Sequence, residues 1–222
     1  MKINKILVLI LALFIPYILL VTGVRIVMTP AFPAWEYQRS VFPQDPFGFT
    51  VGERTKWSEY AVSYLTNDEE ISYLADLQDE NGMRMFAPDE LSHMTDVKEV
   101  VTRTSIVWYV LGGVSIAILV WFVVMGQWES LRKALNTGGW VTVSLLGALL
   151  LFLLASFDQL FEYFHRLFFQ DGTWTFSQSS TLIRLFPFEF WRDAFVLVIG
   201  FALVVGIALV LFTRRRGKRS SK

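Results

Sequence analysis

Long apolar runs alternate with polar segments along this chain, and four of the runs are long enough to cross a membrane. A hydrocarbon core about 30 Å thick requires roughly 20 predominantly apolar residues in an α-helix. Runs of this kind begin at Ile6, Ser105, Trp140 and Ala194. Only the first contains a charge, Arg25, near its end, where a long side chain can reach the headgroup region. The pattern predicts an all-α membrane protein with four transmembrane helices.

The first apolar run has two interpretations, because the basic start MKINK is also compatible with a cleaved signal peptide. The run is long for a signal peptide, and no small-x-small cleavage site follows it. These features favour an uncleaved N-terminal anchor.

Lysine and arginine are concentrated in the segments that the four runs leave on one side. These segments contain Lys2, Lys5, Arg132, Lys133 and six basic residues in 214–222, against a single acid, Glu129. Basic residues in short flanking segments mark the cytoplasmic side of a membrane. The predicted order is an N-terminal anchor (1–28), an extracytoplasmic segment (29–104), transmembrane helix 2 (105–125), a cytoplasmic loop (126–138), transmembrane helix 3 (139–157), an extracytoplasmic interfacial segment (158–193), transmembrane helix 4 (194–213) and a basic cytoplasmic tail (214–222).

The first outer segment is predicted to form a small, mainly helical extracytoplasmic cap. Thr66 to Glu70 has the pattern of a helix start, and Asn81-Gly82 is typical of a helix end. A second helix is predicted to begin at Pro88 and to run into the second span, whereas SVFPQDPFGF before these elements is predicted to be a loop. The second outer segment interleaves aromatic and charged residues, which favours the membrane interface.

Composition restricts the chemistry that this chain can perform. The 222 residues are 54% hydrophobic and have a formal net charge of zero, and no cysteine is present, which excludes disulfides and thiol nucleophiles. No nucleotide-binding glycine pattern or serine-nucleophile elbow is found. The basic tail is interpreted as a topology signal rather than a nucleic-acid site. Trp174 and Trp191 are expected in an interfacial belt or in the wall of an acyl-chain groove.

His93 and His165 are the only histidines, and histidine is the commonest general acid and base. A single histidine on an outer segment is more often a surface residue. The predicted topology, however, places both on the same membrane face, each beside a span whose end could meet the other. If the third helix continues past Phe157, Asp158 and Glu162 share one stripe with His165, and either acid could orient its ring or pair with an arginine. No metal-ligand spacing such as H-E-x-x-H is present, so no metal and no cofactor are predicted.

Three stretches carry a resemblance to a known family: ELSHMTDVK (Glu90–Lys98), FHRLFFQDGTWTF (Phe164–Phe176) and LIRLFPFEFWRDA (Leu182–Ala194). They resemble bacterial four-span membrane proteins of the lipoprotein intramolecular transacylase (Lit) family. The resemblance implies a catalytic role for His93 and His165. Supporting roles for Asp158, Glu162, Arg166 and Arg184 are an interpretation of their positions alone.

The activity that this resemblance implies is transfer of the sn-2 acyl chain of a diacylglyceryl-modified lipoprotein to the α-amine of its own N-terminal cysteine. The implied product is a lyso-form lipoprotein, and the implied partners are diacylated bacterial lipoproteins and membrane lipid. Two other readings remain open at this point. One is a membrane acyltransferase or lipase that acts on another outer-leaflet lipid, and the other is a non-catalytic membrane partner or sensor.

Overall fold

Nine α-helices make up the part of the chain that the computed structural model describes, residues 2 to 214. A single isolated bridge, between Gln78 and Arg84, is the only β-pairing in that range. The all-α prediction is confirmed. Of the predicted basic tail, residues 215–222 lie outside the described residues. The helices are α1 (Lys2–Val27), α2 (Ala31–Tyr37), α3 (Val51–Thr66), α4 (Ser72–Ala75), α5 (Pro88–Val124), α6 (Trp128–Ala155), α7 (Phe157–Phe168), α8 (Thr181–Leu185) and α9 (Phe188–Thr213).

Four of these helices, α1, α5, α6 and α9, are long and apolar enough to cross a membrane. Many of their apolar side chains are exposed, among them Val110, Leu151 and Val204. An exposed apolar surface of this extent is costly in water but is the normal outer surface of a transmembrane bundle. The four predicted transmembrane helices are therefore confirmed as elements of the structure.

The ends of these helices differ from the predicted boundaries. Helix α6 begins at Trp128, so most of the loop predicted at 126–138 is helical, and the chain turns at Gly126, whose φ is +64°. Helix α9 begins at Phe188 rather than at 194. In α6 the polar flank contains the good helix formers Glu129, Arg132 and Lys133, so the helix extends beyond the apolar run.

Helix α5 combines the predicted outer helix and the second span in one element of 37 residues, as expected from the sequence. A helix of that length is about 55 Å long, which is well beyond a hydrocarbon core of about 30 Å. Its first turns carry both acids and bases, and its uninterrupted apolar stretch begins at Ser105. The part of α5 that is apolar enough to cross a membrane therefore begins at Ser105.

The third apolar helix does not continue past Phe157, which corrects the continuous helix considered above. Helix α6 ends at Ala155, and Ser156 adopts a non-helical backbone with φ −160° and ψ 86° before α7 begins. Helix α7 is amphipathic, with Phe157, Leu160 and His165 buried. The break at Ser156 makes α7 a separate helix from α6.

The described chain divides into two compact units. The first contains residues through Gly23, residues 107–151 and residues from Ile199 onward, and the second contains residues 24–106 and 152–198. In the first unit, α6 and α9 approach closely at glycines: a Cβ on Gly139 would lie 2.8 Å from the carbonyl oxygen of Gly206. Small residues at such contacts allow helix backbones to pack against each other in membranes.

The second unit has an apolar core formed by α3, α4, the start of α5, and α8. Its buried side chains include Trp57, Leu74, Phe86 and Leu185. Helix α3, which the sequence did not single out, starts with a reciprocal capping box between Thr50 and Glu53. The helix predicted after Thr66 is only four residues long, because the chain then enters a turn in which the Asp79 carboxylate accepts the backbone N–H groups of Asn81 and Met83.

Candidate active site

The structure brings the two histidines together within the second unit. His93 projects from the first turns of α5 and His165 from α7, and each is 8% exposed. Their ring centroids are 6.3 Å apart, and the ring planes are inclined by only 22°. Two imidazoles that lie side by side in a buried position can act on one substrate.

His165 is fixed by a bond to its own helix. Its Nδ1 lies 2.8 Å from the carbonyl oxygen of Phe161. A carbonyl oxygen can only accept, so Nδ1 carries the proton and Nε2 keeps a free lone pair. Burial lowers the pKa of His165, and the bond to Phe161 opposes this shift only in part. The imidazole is therefore neutral near pH 7 and has a basic nitrogen available.

His93 lies in more apolar surroundings. The rings of Phe169 and Phe176 meet its ring edge-on, with centroids 4.9 and 5.5 Å away, and its Nδ1 is buried without a hydrogen-bond partner among the described residues. His93 lies in the first turns of α5, before the apolar stretch that begins at Ser105. Burial lowers the pKa of His93 to about 4, and the neighbouring His165 contributes to the shift. His93 therefore also remains neutral at physiological pH.

The segment after α7 folds back over His165. Trp174, six residues after the end of α7, places its indole against the imidazole of His165. The two ring centroids are 4.8 Å apart, and the ring planes are inclined by 32°. The reversal is a turn in which the backbone N–H and the hydroxyl of Thr173 both donate to the carbonyl of Gln170. Gly172 adopts φ +86° in this turn, a conformation that residues with a side chain rarely adopt.

The acids and arginines proposed from the sequence as supports have other partners. Glu162 pairs with Arg166 at 2.7 Å, and Arg166 also lies 3.7 Å from Asp171 in the turn. Arg184 donates to Asp45, with Nη2 2.8 Å and Nε 3.1 Å from the same carboxylate oxygen. Asp158 is exposed. In the described part of the chain, neither Asp158 nor Glu162 bonds to His165, and the backbone carbonyl of Phe161 takes the place that a carboxylate was expected to fill.

Glu90 is a further residue of this region; it opens the stretch ELSHMTDVK, but the sequence predicted no role for it. It is 2% exposed. One carboxylate oxygen accepts the N–H of Ala87, and the other accepts the N–H of Leu182, both at 2.7 Å. One carboxylate thus caps the start of α5 and the start of α8, one helical turn before His93. The only sequence feature that points to this capping role is that Glu90 lies three residues after Ala87, whose own side chain cannot cap the helix.

Among residues 2 to 214, no group of three or more histidine, aspartate or glutamate side chains is arranged to hold a metal ion. The groups that the structure does bring together in this region are two imidazoles, the indole of Trp174 and the rings of Phe169 and Phe176.

Four long apolar helices and a buried histidine pair define an integral membrane protein of the all-α class with a candidate acid–base site. A family model described as "Lipoprotein intramolecular transacylase Lit" matches residues 8–191. The chain therefore belongs to the Lit family, whose name describes acyltransferases that act on lipoproteins.

Individual proteins resemble this chain in sequence or in fold. A protein of Aquifex aeolicus (strain VF5), described as uncharacterized, is 32% identical over 99% of this chain and 98% of its own length. The structure of the lipoprotein intramolecular transacylase Lit from Bacillus cereus matches with a TM-score of 0.78 and 18% identity, over 95% of this chain and 94% of that one. A form of the B. cereus protein with one histidine replaced by arginine matches with a TM-score of 0.72 and 19% identity, over 96% and 91% of the two chains. At these identities the solved structures establish a shared fold.

Proposed function

We propose that this protein transfers the sn-2 acyl chain of a diacylglyceryl-cysteine lipoprotein to the α-amino group of the same cysteine, which gives the lyso-form lipoprotein. One observation carries this proposal: the paired neutral imidazoles, of which His165 has one nitrogen bound to a carbonyl and the other free. Membership of the Lit family supports the choice of substrate.

The reaction needs little beyond what these residues offer. The substrate supplies the nucleophile, so no serine or cysteine of the enzyme is required, and an ester converts to an amide without an energy donor or cofactor. A bond forms between the α-nitrogen and the acyl carbon, and the bond from that carbon to the glycerol oxygen breaks. One proton moves from the nitrogen to the glycerol oxygen. The protein has to align the groups, move this proton and stabilise the tetrahedral oxyanion.

His165 is the base in this scheme. Its Nε2 accepts the proton of the attacking amine and then returns it to the departing glycerol oxygen. A free α-amine has a pKa near 8, so part of it is already neutral at physiological pH. His93, which stays neutral, contributes a ring N–H to the oxyanion. Acid or base help of this kind is worth about 10² to 10⁴ in rate.

The charged neighbours of the pair have positioning roles in this proposal. Arg166, held by Glu162 and close to Asp171, ties the turn after α7 to the helix that carries His165. Arg184, bound to Asp45, holds α8 against the first outer segment. For Asp158 no ion pair or side-chain hydrogen bond is found within residues 2–214, and no role is proposed for it.

The proposed location is the bacterial cell membrane, with both termini in the cytoplasm and the histidine pair on the extracytoplasmic face. The distribution of lysine and arginine supports this orientation. The partners are diacylated lipoproteins, which reach the site within the membrane, and lipid. Nucleic acid is not a partner.

The test uses the purified protein in lipid with a diacylglyceryl-cysteine peptide. Substrate and product are isomers of the same mass, so fragmentation spectra must show whether the acyl chain is on nitrogen or on glycerol. A mixture of two peptides, one with a deuterated acyl chain, reports whether transfer stays within one molecule. Release of free fatty acid would indicate a lipase, and label crossover would indicate an intermolecular acyltransferase.

The first prediction concerns the histidines. His93→Ala and His165→Ala should each reduce the rate of transfer by about 10² to 10⁴. Gln159→Ala, an exposed change on the same helix as His165, should leave the rate unchanged. If both histidine variants fold normally and still form the N-acyl product at the unmutated rate, the proposed mechanism is wrong.

A further inference from the structure

Two buried polar atoms without a hydrogen-bond partner among the described residues belong to the histidine pair and the ring beside it. In the described residues, six buried side-chain nitrogen or oxygen atoms have no hydrogen-bond partner, and two of them, Nδ1 of His93 and Nε1 of Trp174, belong to rings at this site. A buried indole N–H normally finds an acceptor, and leaving one unpaired costs about 1–3 kcal/mol. An unpaired donor beside a candidate base suggests an acceptor that arrives with the substrate.

The position of Trp174 limits what that acceptor can be. Its indole lies against the imidazole of His165, whose Nε2 is free to receive the proton of the attacking amine. The acyl carbon under attack must lie beside that amine and therefore beside the indole. An indole nitrogen donates and never accepts, so it suits an oxygen that gains negative charge rather than the amine or the glycerol hydroxyl.

The indole is also held in place before any substrate binds. The turn from Gln170 to Thr173 reverses the chain, and the interaction between Arg166 and Asp171 links this turn to α7. Phe169 and Phe176, which flank Trp174 in the sequence, pack on the edges of His93. A donor that is fixed in this way stabilises charge in the transition state without having to reorganise during the reaction.

We propose that Nε1 of Trp174 donates a hydrogen bond to the carbonyl oxygen of the migrating acyl group and stabilises the oxyanion of the tetrahedral intermediate. This inference rests on the acyl transfer proposed above. No bond is made or broken at Trp174, since the indole keeps its proton throughout. With His93 it would form a pair of neutral donors around the developing charge, while His165 moves the proton.

The test removes the N–H in two ways, one of which keeps the shape of the bicyclic ring. Trp174→Phe, and replacement of Trp174 by the sulfur isostere benzothienylalanine, should each lower kcat by about 10² to 10³ with little change in KM, as loss of one oxyanion donor does. Both should weaken binding of a phosphonate analogue of the tetrahedral intermediate by a similar factor. Trp35→Phe is the matched control, because Trp35 lies in the same unit, is 51% exposed and packs against Phe32.

The outcomes separate this inference from the proposed function. If the unmutated protein forms the N-acyl product and the benzothienylalanine form keeps its rate and its phosphonate affinity, the N–H has no catalytic role and the inference is overturned. A loss seen for Trp174→Phe but not for the isostere would assign the effect to ring shape and would overturn it equally. If the unmutated protein forms no product at all, the proposed function fails, and the role of Trp174 fails with it.

Discussion

Glu90 uses both of its carboxylate oxygens to accept backbone N–H groups, and its replacement by glutamine removes one of these acceptors. Because an amide has a single carbonyl oxygen, the N–H of either Ala87 or Leu182 would face an NH₂ group instead of an acceptor. A hydrogen bond to a charged group is worth about 1.5–3 kcal/mol, and an unpaired buried N–H costs about 1–3 kcal/mol. Because Glu90→Gln also removes a buried charge, part of this loss of stability is recovered. The expected net loss in the free energy of unfolding is about 2 kcal/mol.

Thermal unfolding in lipid measures this loss. For a chain of this size, 1 kcal/mol corresponds to about 2–4 °C, so Glu90→Gln should lower Tm by about 4–8 °C. Transfer activity should fall as well, because His93 lies one turn further along the helix that Glu90 fixes. Asp89→Asn is the control, since it removes the same charge from an exposed position in the same turn. Equal Tm values for the two variants would refute the capping role of Glu90.

Three further predictions test other parts of the molecule. Gly139→Ala places a Cβ 2.8 Å from a backbone oxygen of α9 and should cost about 1–2 kcal/mol of stability, whereas Gly147→Ala, which meets nothing within 4 Å, should be neutral or slightly stabilising; equal unfolding temperatures would contradict this. Reporters inserted near Gly126, in the turn between α5 and α6, should read cytoplasmic and those near Gly82 extracytoplasmic, and the reverse pattern would overturn the topology. Because burial lowers the folded-state pKa of His165, the unfolded chain binds more protons below about pH 6.5, so stability should decline toward acid. His165→Gln should reduce that slope of the unfolding free energy against pH, and an unchanged slope would argue against a buried neutral imidazole.

The transmembrane helices could be predicted from the sequence because bilayer thickness fixes the length of an apolar run directly. Their ends could not be predicted in the same way. The residues from Trp128 onward are polar but form helices well, so hydrophobicity marks the edge of the hydrocarbon core and not the end of α6. The break at Ser156 lies in a polar transition where a continuous helix is equally compatible with the local pattern.

The proximity of His93 and His165 could be predicted from the sequence, because both histidines flank spans on the same predicted side; their catalytic role stays a prediction. The partner of His165 could not be predicted. Asp158 and Glu162 have helical spacing toward it, but the carbonyl of Phe161 occupies the same side of the helix and requires no side chain at all. The role of Glu90 was equally hidden, since Leu182, which it binds, is 92 residues away in the sequence.

The short helix α8 determines when this unit can be completed. It has five residues, too few to be stable alone. It is held by three segments made much earlier: the hydroxyl of Tyr37 donates to Leu185, Thr181 donates to the carbonyl of Met85, and Glu90 accepts from Leu182. At a synthesis rate of about 5–20 residues per second, the stretch between Glu90 and Leu182 takes roughly 5 to 20 s to appear. Throughout that interval the first outer segment lacks part of its core, so the histidine pair can assemble only after the second outer segment has been made.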